Sequence, residues 1–344
     1  MSDPGASFAA ALEAYSRAAR EAVTRYVSGR QPDRHLYDPA REFVMRPAKT
    51  LRPALCLAAC EVFGGAADDA LASAVAIELL HAAFLIHDDI EDGSEKRRGR
   101  AALHVERGVP IALNTGDALA VLSLRPLLEN VGHLGSRMAR AVLAEFQLAM
   151  ERTVEGQAVE LGWREDNVVD LTPRDYLDMV LQKTCAYTTI LPLRVGALIG
   201  STGGADLDAI GRFGFALGAA FQIRDDVLDL VSARGSYGKD VLGDIRESKR
   251  TLALIHLLRS APADARAGLV ALLGRAASER TPDDAFRVRA LMEDHGSIAY
   301  ADAYASALAG AAVTAFDEAF SQCAPSRAYT FLQGVVPFMI ERVA

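Results

Sequence analysis

Cysteine is scarce in this 344-residue chain, with only Cys56, Cys60, Cys185 and Cys323. They are too few and too scattered for a disulfide framework, and their spacing matches no zinc pattern. Buried thiols in a reducing compartment, and hence a cytoplasmic protein, are the expectation. Basic charge is not in excess either: Lys and Arg number 37 against 45 Asp and Glu, a formal net charge of −8. Without a basic stripe to displace counterions from phosphates, nucleic acid is excluded as a partner. Long uncharged apolar runs are also missing. Asp3, Glu13, Arg17 and Arg20 break up the N-terminal region, which leaves no signal-peptide core. Glu78 interrupts residues 74–86 and Arg194 interrupts residues 188–199. No transmembrane segment is therefore expected, since a span needs roughly 18 apolar residues.

Alternating β-branched runs and Asn-Gly turns are nearly absent, as are Pro/Gly/Ser-rich linkers, low-complexity tracts and blocks of like charge. What is there has helical periodicity almost throughout. The reading is all-α, one helical domain over residues 1–344, and at this length a large core needs no staple. Phe8, Leu12 and Tyr15 keep the spacing of an amphipathic helix that ends near Gly29. Thr172-Pro173-Arg174-Asp175 and Thr281-Pro282-Asp283-Asp284 are helix starts, with Thr at the N-cap and an acid three residues on. Gly64-Gly65, Gly93 and Gly203-Gly204 are helix stops.

Two segments carry the chemistry. Asp88-Asp89-Ile90-Glu91-Asp92 and Asp225-Asp226-Val227-Leu228-Asp229 each close a long apolar helical stretch, their first aspartates 137 residues apart. On a helix, positions i, i+1 and i+4 share a face, so each set of three carboxylates converges. A single such set is the pattern of a solvated helix end. Two sets, each at the end of a helix that should be buried, call for cations, and hard oxygen ligands with open positions suit Mg²⁺ bridging to a phosphate. Basic residues surround them: Arg97-Arg98-Gly99-Arg100 follows the first cluster, Lys49 and Arg52 precede a helix start at Pro53, Lys183-Thr184 closes another apolar helix, and Lys239 and Lys249 follow the second cluster. Each alone is the pattern of a surface residue. Together they are provision for two diphosphates.

These residues resemble the trans-isoprenyl diphosphate synthases, or polyprenyl synthetases, over roughly residues 40–260. The resemblance rests on Lys49-Thr50-Leu51-Arg52-Pro53, on His81 through Asp92 into Arg97-Arg98-Gly99, on Gly156-Gln157, on Lys183-Thr184, on Phe221-Gln222 with the second cluster, and on Gly238-Lys239 through Lys249-Arg250-Thr251. It implies an all-α bundle around a deep cavity, a homodimer, and condensation of an allylic diphosphate with isopentenyl diphosphate. By resemblance, Asp88, Asp89, Asp92, Asp225, Asp226 and Asp229 hold Mg²⁺, three ions once substrate is bound, on the allylic diphosphate. Arg97, Lys183 and Lys239 contact that diphosphate, with Thr184, Gln222 and Lys249 beside it. Lys49, Arg52, His81 and Arg98 bind isopentenyl diphosphate, and His87 is structural. Glu160 stands where the family commonly has Asp, Ala48 and Ser248 where it has Gly, and residues 340–344 form no basic tail.

In that family the residues before the first aspartate set product length. Here Ala83, Phe84 and Leu80 occupy those positions, with Phe84 one helical turn from Asp88 as the floor. The arrangement points to geranylgeranyl diphosphate, with farnesyl diphosphate next. Two rival readings are a class I terpene cyclase and a noncatalytic subunit of a heteromeric synthase. A cyclase has no use for the Lys49, Arg52, His81 and Arg98 set, and its Asn-Asp-x-x-Ser-x-x-x-Glu motif is not found. A silent subunit tends to lose aspartates, and all six are present.

Overall fold

Thr172 caps a helix as its sequence context requires: its Oγ1 accepts from the Asp175 amide, and the Asp175 carboxylate accepts from the Thr172 amide. Thr281 and Asp284 make the same reciprocal pair. Gly93 ends its helix at φ 65°, in the left-handed region that favours glycine. The structure is a computed structural model that describes residues 4–231, 242–276 and 279–340. Lys239 and Gly238 lie outside the described residues.

The first half of the chain forms α1 (Pro4–Val27), α2 (Asp38–Val44), α3 (Leu51–Val62), α4 (Ala67–Asp92), α5 (Leu103–Arg107) and α6 (Val109–Glu165). Then come α7 (Pro173–Val180), a π-helical stretch at Leu181–Ile190, α8 (Leu191–Gly200) and α9 (Leu207–Val231). The remainder comprises α10 (Gly243–Arg246), α11 (Leu252–Ser260), α12 (Ala263–Leu273), α13 (Pro282–Asp294), α14 (Ser297–Ala319) and α15 (Arg327–Ile340). The all-α expectation holds. Among the described residues the only strands are β1 (Lys96–Arg97) and β2 (Arg100–Ala101), an antiparallel pair joined by Arg98 and Gly99. Both joining residues have positive φ, 55° and 74°, the turn that matches strand twist. Arg-Gly in place of Asn-Gly hid this hairpin from the sequence.

The central element is α4, which brings the first aspartate cluster to one end of the bundle. At Gly135, with φ 79° and ψ 158°, α6 breaks into two helices. The first half runs antiparallel to α4, since Asn130 bonds Ser73 near the start of α4 while Leu113 reaches His87 near its end. The second half returns, so Gln157 meets Glu91 and Arg164 meets Asp92. Both α4 and α6 contain an 18-residue window apolar enough to cross a membrane. That window in α4 is 72% buried, so its apolarity is that of a core helix. The cysteines are free, with Cys323 only half-buried.

Close approach between helices depends on glycine. A Cβ on Gly196 of α8 would stand 2.2 Å from the Cys56 carbonyl of α3. One on Gly156 of α6 would stand 2.3 Å from the Lys183 amide, so Gly156 lets the π-helical stretch bring Lys183 against α6. Gly196→Ala is expected to cost about 1–3 kcal/mol through overpacking. The check is a lowered urea midpoint with an unchanged denaturant slope.

Candidate active site

A cavity of about 430 Å³ opens between α3, α4, the second half of α6, α7, the π-helical stretch and α9. Asp88 lines it from α4, and Asp225 and Asp226 from α9. The two helix ends identified in the sequence therefore face one space.

The first cluster meets its own cations. Arg97 Nε donates to Asp89 Oδ1 at 2.7 Å, and its NH2 approaches Asp88 Oδ2 at 3.4 Å. The Lys183 ammonium lies 3.4 Å from Asp88 and pairs with Glu160. Burial works against that charge, but Glu160 and Asp88 more than offset it and hold Lys183 above the ordinary lysine range. Asp92, its side chain 1% exposed, is clamped by Arg164 at 2.5 Å and Lys249 at 2.7 Å. Lys249 also contacts Glu247 at 2.7 Å. So Lys249 lines the cavity as the partner of a carboxylate, and Arg97 and Arg98 are the half-buried residues of a hairpin whose Lys96, Gly99 and Arg100 are exposed. Arg46 holds that hairpin: its fully buried guanidinium donates to the Ala101 carbonyl at 2.9 Å and pairs with Glu42 and Glu106.

The second cluster has a different surrounding. Tyr176 Oη donates to Asp226 Oδ2 at 2.7 Å, and Gln222 Nε2 donates to Asp226 Oδ1 at 2.8 Å while its Oε1 accepts from Thr184. Burial, then the neighbouring Asp244 carboxylate, pushes the Asp226 carboxyl well above its usual range. Asp229 is turned toward α10, where it accepts from the Gly243 and Asp244 amides at 3.3 and 3.2 Å. Among the described residues no three His, Cys, Asp or Glu side chains already stand as a ligand set. The donors nonetheless suit a divalent cation, because Asp89 Oδ2 is buried with no hydrogen-bond partner among the described residues and Asp226 shares its site with Asp225 and Asp244.

On the α3 side, Arg52 donates to His81 Nε2 at 3.1 Å and to Thr188 Oγ1 at 2.9 Å. His81 is 7% exposed. Burial, then the charge of Arg52, holds its imidazole well below the usual value, so it is neutral at pH 7. Its Nδ1 is buried without a hydrogen-bond partner among the described residues. Arg98 stands within electrostatic reach of Arg52 and Glu78. Lys49, grouped with Arg52 in the sequence, points elsewhere. The backbone is left-handed at Thr50, φ 48°, and Lys49 Nζ rests 5.0 Å from the Phe338 ring, in a groove between α1 and α15. His87 lines the cavity and lies 3.4 Å from Asp117.

The apolar part of the wall is Phe84, Val180, Met179 and Phe221 with Tyr187. Phe84 is where the sequence put it, facing the cavity one turn below Asp88. Leu80 and Ala83 do not line it. Leu80 is buried with Phe146 and Leu191 in the layer that backs Phe84, and Ala83 faces α1 and the first half of α6. A step of about 100° per residue turns Ala83 from Phe84 toward α1 and the first half of α6, whereas Leu80, one turn below Phe84 on the same side of α4, is covered by Phe146 and Leu191.

The sequence reading missed Tyr176, Arg164, Asp244, Glu247 and Arg250. Arg250 is 1% exposed and spends its guanidinium on the Val168 and Ser248 carbonyls and Asn167. Burial, then the charges of Arg280 and Arg164, pushes it down to about 10. Asp244, Glu247 and Arg250 lie in the run that follows the second cluster, where a count of acids flanking Lys249 was available as a signal. Nothing local singles out Tyr176 or Arg164.

The polyprenyl synthetase family model matches residues 33–288. The chain belongs to that family. The synthase is similar to the short chain isoprenyl diphosphate synthase of Methanothermobacter thermautotrophicus, 35% identical over 294 residues that cover 86% of this chain and 87% of the relative. Its fold is similar to geranylgeranyl pyrophosphate synthetase from Pyrococcus horikoshii, with TM-score 0.86 and 29% identity over 99% of this chain and 100% of that one. A polyprenyl synthase from Caulobacter crescentus, complexed with calcium and isoprenyl diphosphate, superposes with TM-score 0.83 and 27% identity over 98% of each chain. The protein is a trans-prenyltransferase, an isoprenyl diphosphate synthase.

Tyr176→Phe removes the hydroxyl that steadies Asp226 and leaves the ring in its apolar site. A roughly tenfold weaker apparent affinity for the activating metal is expected, checked by metal titration of activity at an unchanged melting temperature.

Proposed function

We propose that the synthase condenses an allylic diphosphate with isopentenyl diphosphate in a Mg²⁺-dependent reaction, and that its main product is geranylgeranyl diphosphate. The observation that carries this reading is one cavity lined by Asp88 of the first cluster and Asp225 and Asp226 of the second, with Lys183 beside Asp88 and the Arg52 and His81 pair on the α3 side. A terpene cyclase would leave that second polar set without work, and a silent subunit would not need both clusters.

Asp88, Asp89, Asp92, Asp225, Asp226 and Asp229 would hold the ions, three with substrate present, whose chemistry is to neutralise the departing diphosphate. Lys183, Arg97 and Lys249 then turn their donors from carboxylate to phosphate oxygens, stabilising charge that grows as the carbon–oxygen bond breaks. Lys239 is proposed to join them. Arg52, the unpartnered Nδ1 of His81, and Arg98 hold isopentenyl diphosphate with its double bond toward the allylic carbon, and Lys49 reaches this site only by leaving Phe338. Attack of that double bond forms the new carbon–carbon bond. The double bond is itself the nucleophile, and the proton lost afterwards goes to the released diphosphate, so neither a protein nucleophile nor a protein base is needed. Phe84 and Phe221 line the space for the hydrocarbon and keep water from the cation.

We further propose that residues 1–344 act as one domain in the cytoplasm and that two copies associate through α6. Its first half exposes Leu113, Val121, Leu124, Leu128 and Val131, 41–69% open and spaced to form one stripe.

Asp88→Ala or Asp225→Ala should slow turnover by about 10²–10³-fold or more, and labelled isopentenyl diphosphate given with dimethylallyl, geranyl or farnesyl diphosphate should end chiefly at geranylgeranyl length. Near-wild-type turnover in either variant would sink the assignment. Val121→Glu with Leu128→Glu should convert a dimer to a monomer in sedimentation velocity.

A further inference from the structure

The Lys183 ammonium and the Asp88 carboxylate face each other at 3.4 Å across the cavity. Four residues before Asp88 is Phe84, and four residues after Lys183 is Tyr187. Because the two segments pass in opposite directions, the next layer down sets these rings against each other, edge to face at 85° with centroids 5.5 Å apart. Both line the cavity. Phe84 and Tyr187 are therefore the first solid layer beneath the position of the diphosphate.

Tyr187 has a second set of neighbours. The Arg52 guanidinium lies over its ring, 4.8 Å from the centroid, and donates to its hydroxyl at 3.3 Å. His81 packs against it with centroids 5.9 Å apart. One ring thus forms half of the apolar stop and also braces the arginine of the polar set on the α3 side. Phe84 has no part in the second role, and Arg52 has none in the first.

We propose that Tyr187 sets product length together with Phe84 and, through Arg52, sets the affinity for isopentenyl diphosphate, so that the two properties are coupled at this residue and separable at its neighbours. The inference rests on the reaction given above. A growing chain meets the paired edges of Phe84 and Tyr187, and truncating either opens the layer. Truncating Tyr187 alone also removes the face and the hydroxyl that aim Arg52, and a stacked cation lost from a desolvated site weakens anion binding by roughly tenfold.

The test compares wild type with Tyr187→Ala, Tyr187→Phe and Phe84→Ala, using product chain length and calorimetric binding of isopentenyl diphosphate alone. Tyr187→Ala is expected to lengthen the product and weaken isopentenyl diphosphate binding by roughly tenfold, with the Michaelis constant of the allylic substrate within about twofold of wild type. Tyr187→Phe keeps the ring, so product length stays and binding weakens by about fivefold or less from the lost hydroxyl. Phe84→Ala lengthens the product at unchanged isopentenyl diphosphate affinity. Tyr187→Phe is the conservative replacement, and its behaviour decides the question if the alanine variant does not fold. Product length altered by Tyr187→Phe, or Tyr187→Ala with wild-type length, would overturn the inference, as would equal losses for both substrates. Wild-type protein that binds isopentenyl diphosphate but condenses it with no allylic partner would instead overturn the reaction, and this inference with it.

Discussion

Burying many carboxylates together is the constraint on which the rest of the site depends. Asp89, Asp92, Glu160, Asp226 and Glu247 are all withdrawn from water to a large degree, and an isolated buried carboxylate would be strongly destabilising. Each is met by a specific partner: Arg97 for Asp89, Arg164 and Lys249 for Asp92, Lys183 for Glu160, Tyr176 for Asp226 and Lys249 again for Glu247. These partners serve in two ways. While the carboxylates are alone, these partners bond oxygen atoms that water hardly reaches. Under the function proposed above, the aspartates would hold a divalent metal whose chemistry is to neutralise diphosphate, and Lys183 and Arg97 would offer donors to the same anion.

That balance requires distant segments to be held at fixed separation. The length of α4 carries Asp88 from the middle of the core to the cavity, and the break at Gly135 folds α6 back so that Glu160 and Arg164 arrive beside it. Gly156 removes the one Cβ that would push the Lys183 backbone away from α6. The buried Arg46 plays the same part for Arg97 and Arg98, since it anchors the β1–β2 hairpin through the Ala101 carbonyl. The ion pairs of the site are thus consequences of apolar packing and backbone contact elsewhere. In energetic terms this division is sensible, because rigid scaffolding supplies preorganisation that flexible charged side chains lack.

Much of the architecture was legible because helices leave local marks. Thr172 and Thr281 announce their caps, Gly93 announces a stop, and the apolar period identifies α4 and α9 together with the aspartates at their ends. Residue pattern also put Phe84 on the cavity side of α4. The β1–β2 hairpin was not legible, since its turn uses Arg98 and Gly99 rather than a residue pair known for that conformation. Leu80 was placed one turn below Phe84, where Phe146 and Leu191 cover it, and Ala83, next to Phe84 in the chain, is turned toward α1 and the first half of α6.

The sequence by itself determined that the chain is all-α, that two acidic clusters end buried helices, and that cations are distributed around them, because period, capping and composition are properties of neighbouring residues. Tertiary structure alone decided that Lys49 turns to Phe338 while Arg52 turns to His81, that Tyr176 and Arg164 belong to the site, and that Tyr187 meets both Phe84 and Arg52. Those contacts join residues tens to more than a hundred positions apart. Their geometry depends on helix rotation, on the left-handed backbone at Thr50 and on the glycines at helix crossings, where a fraction of an ångström in backbone separation determines which side chains can touch.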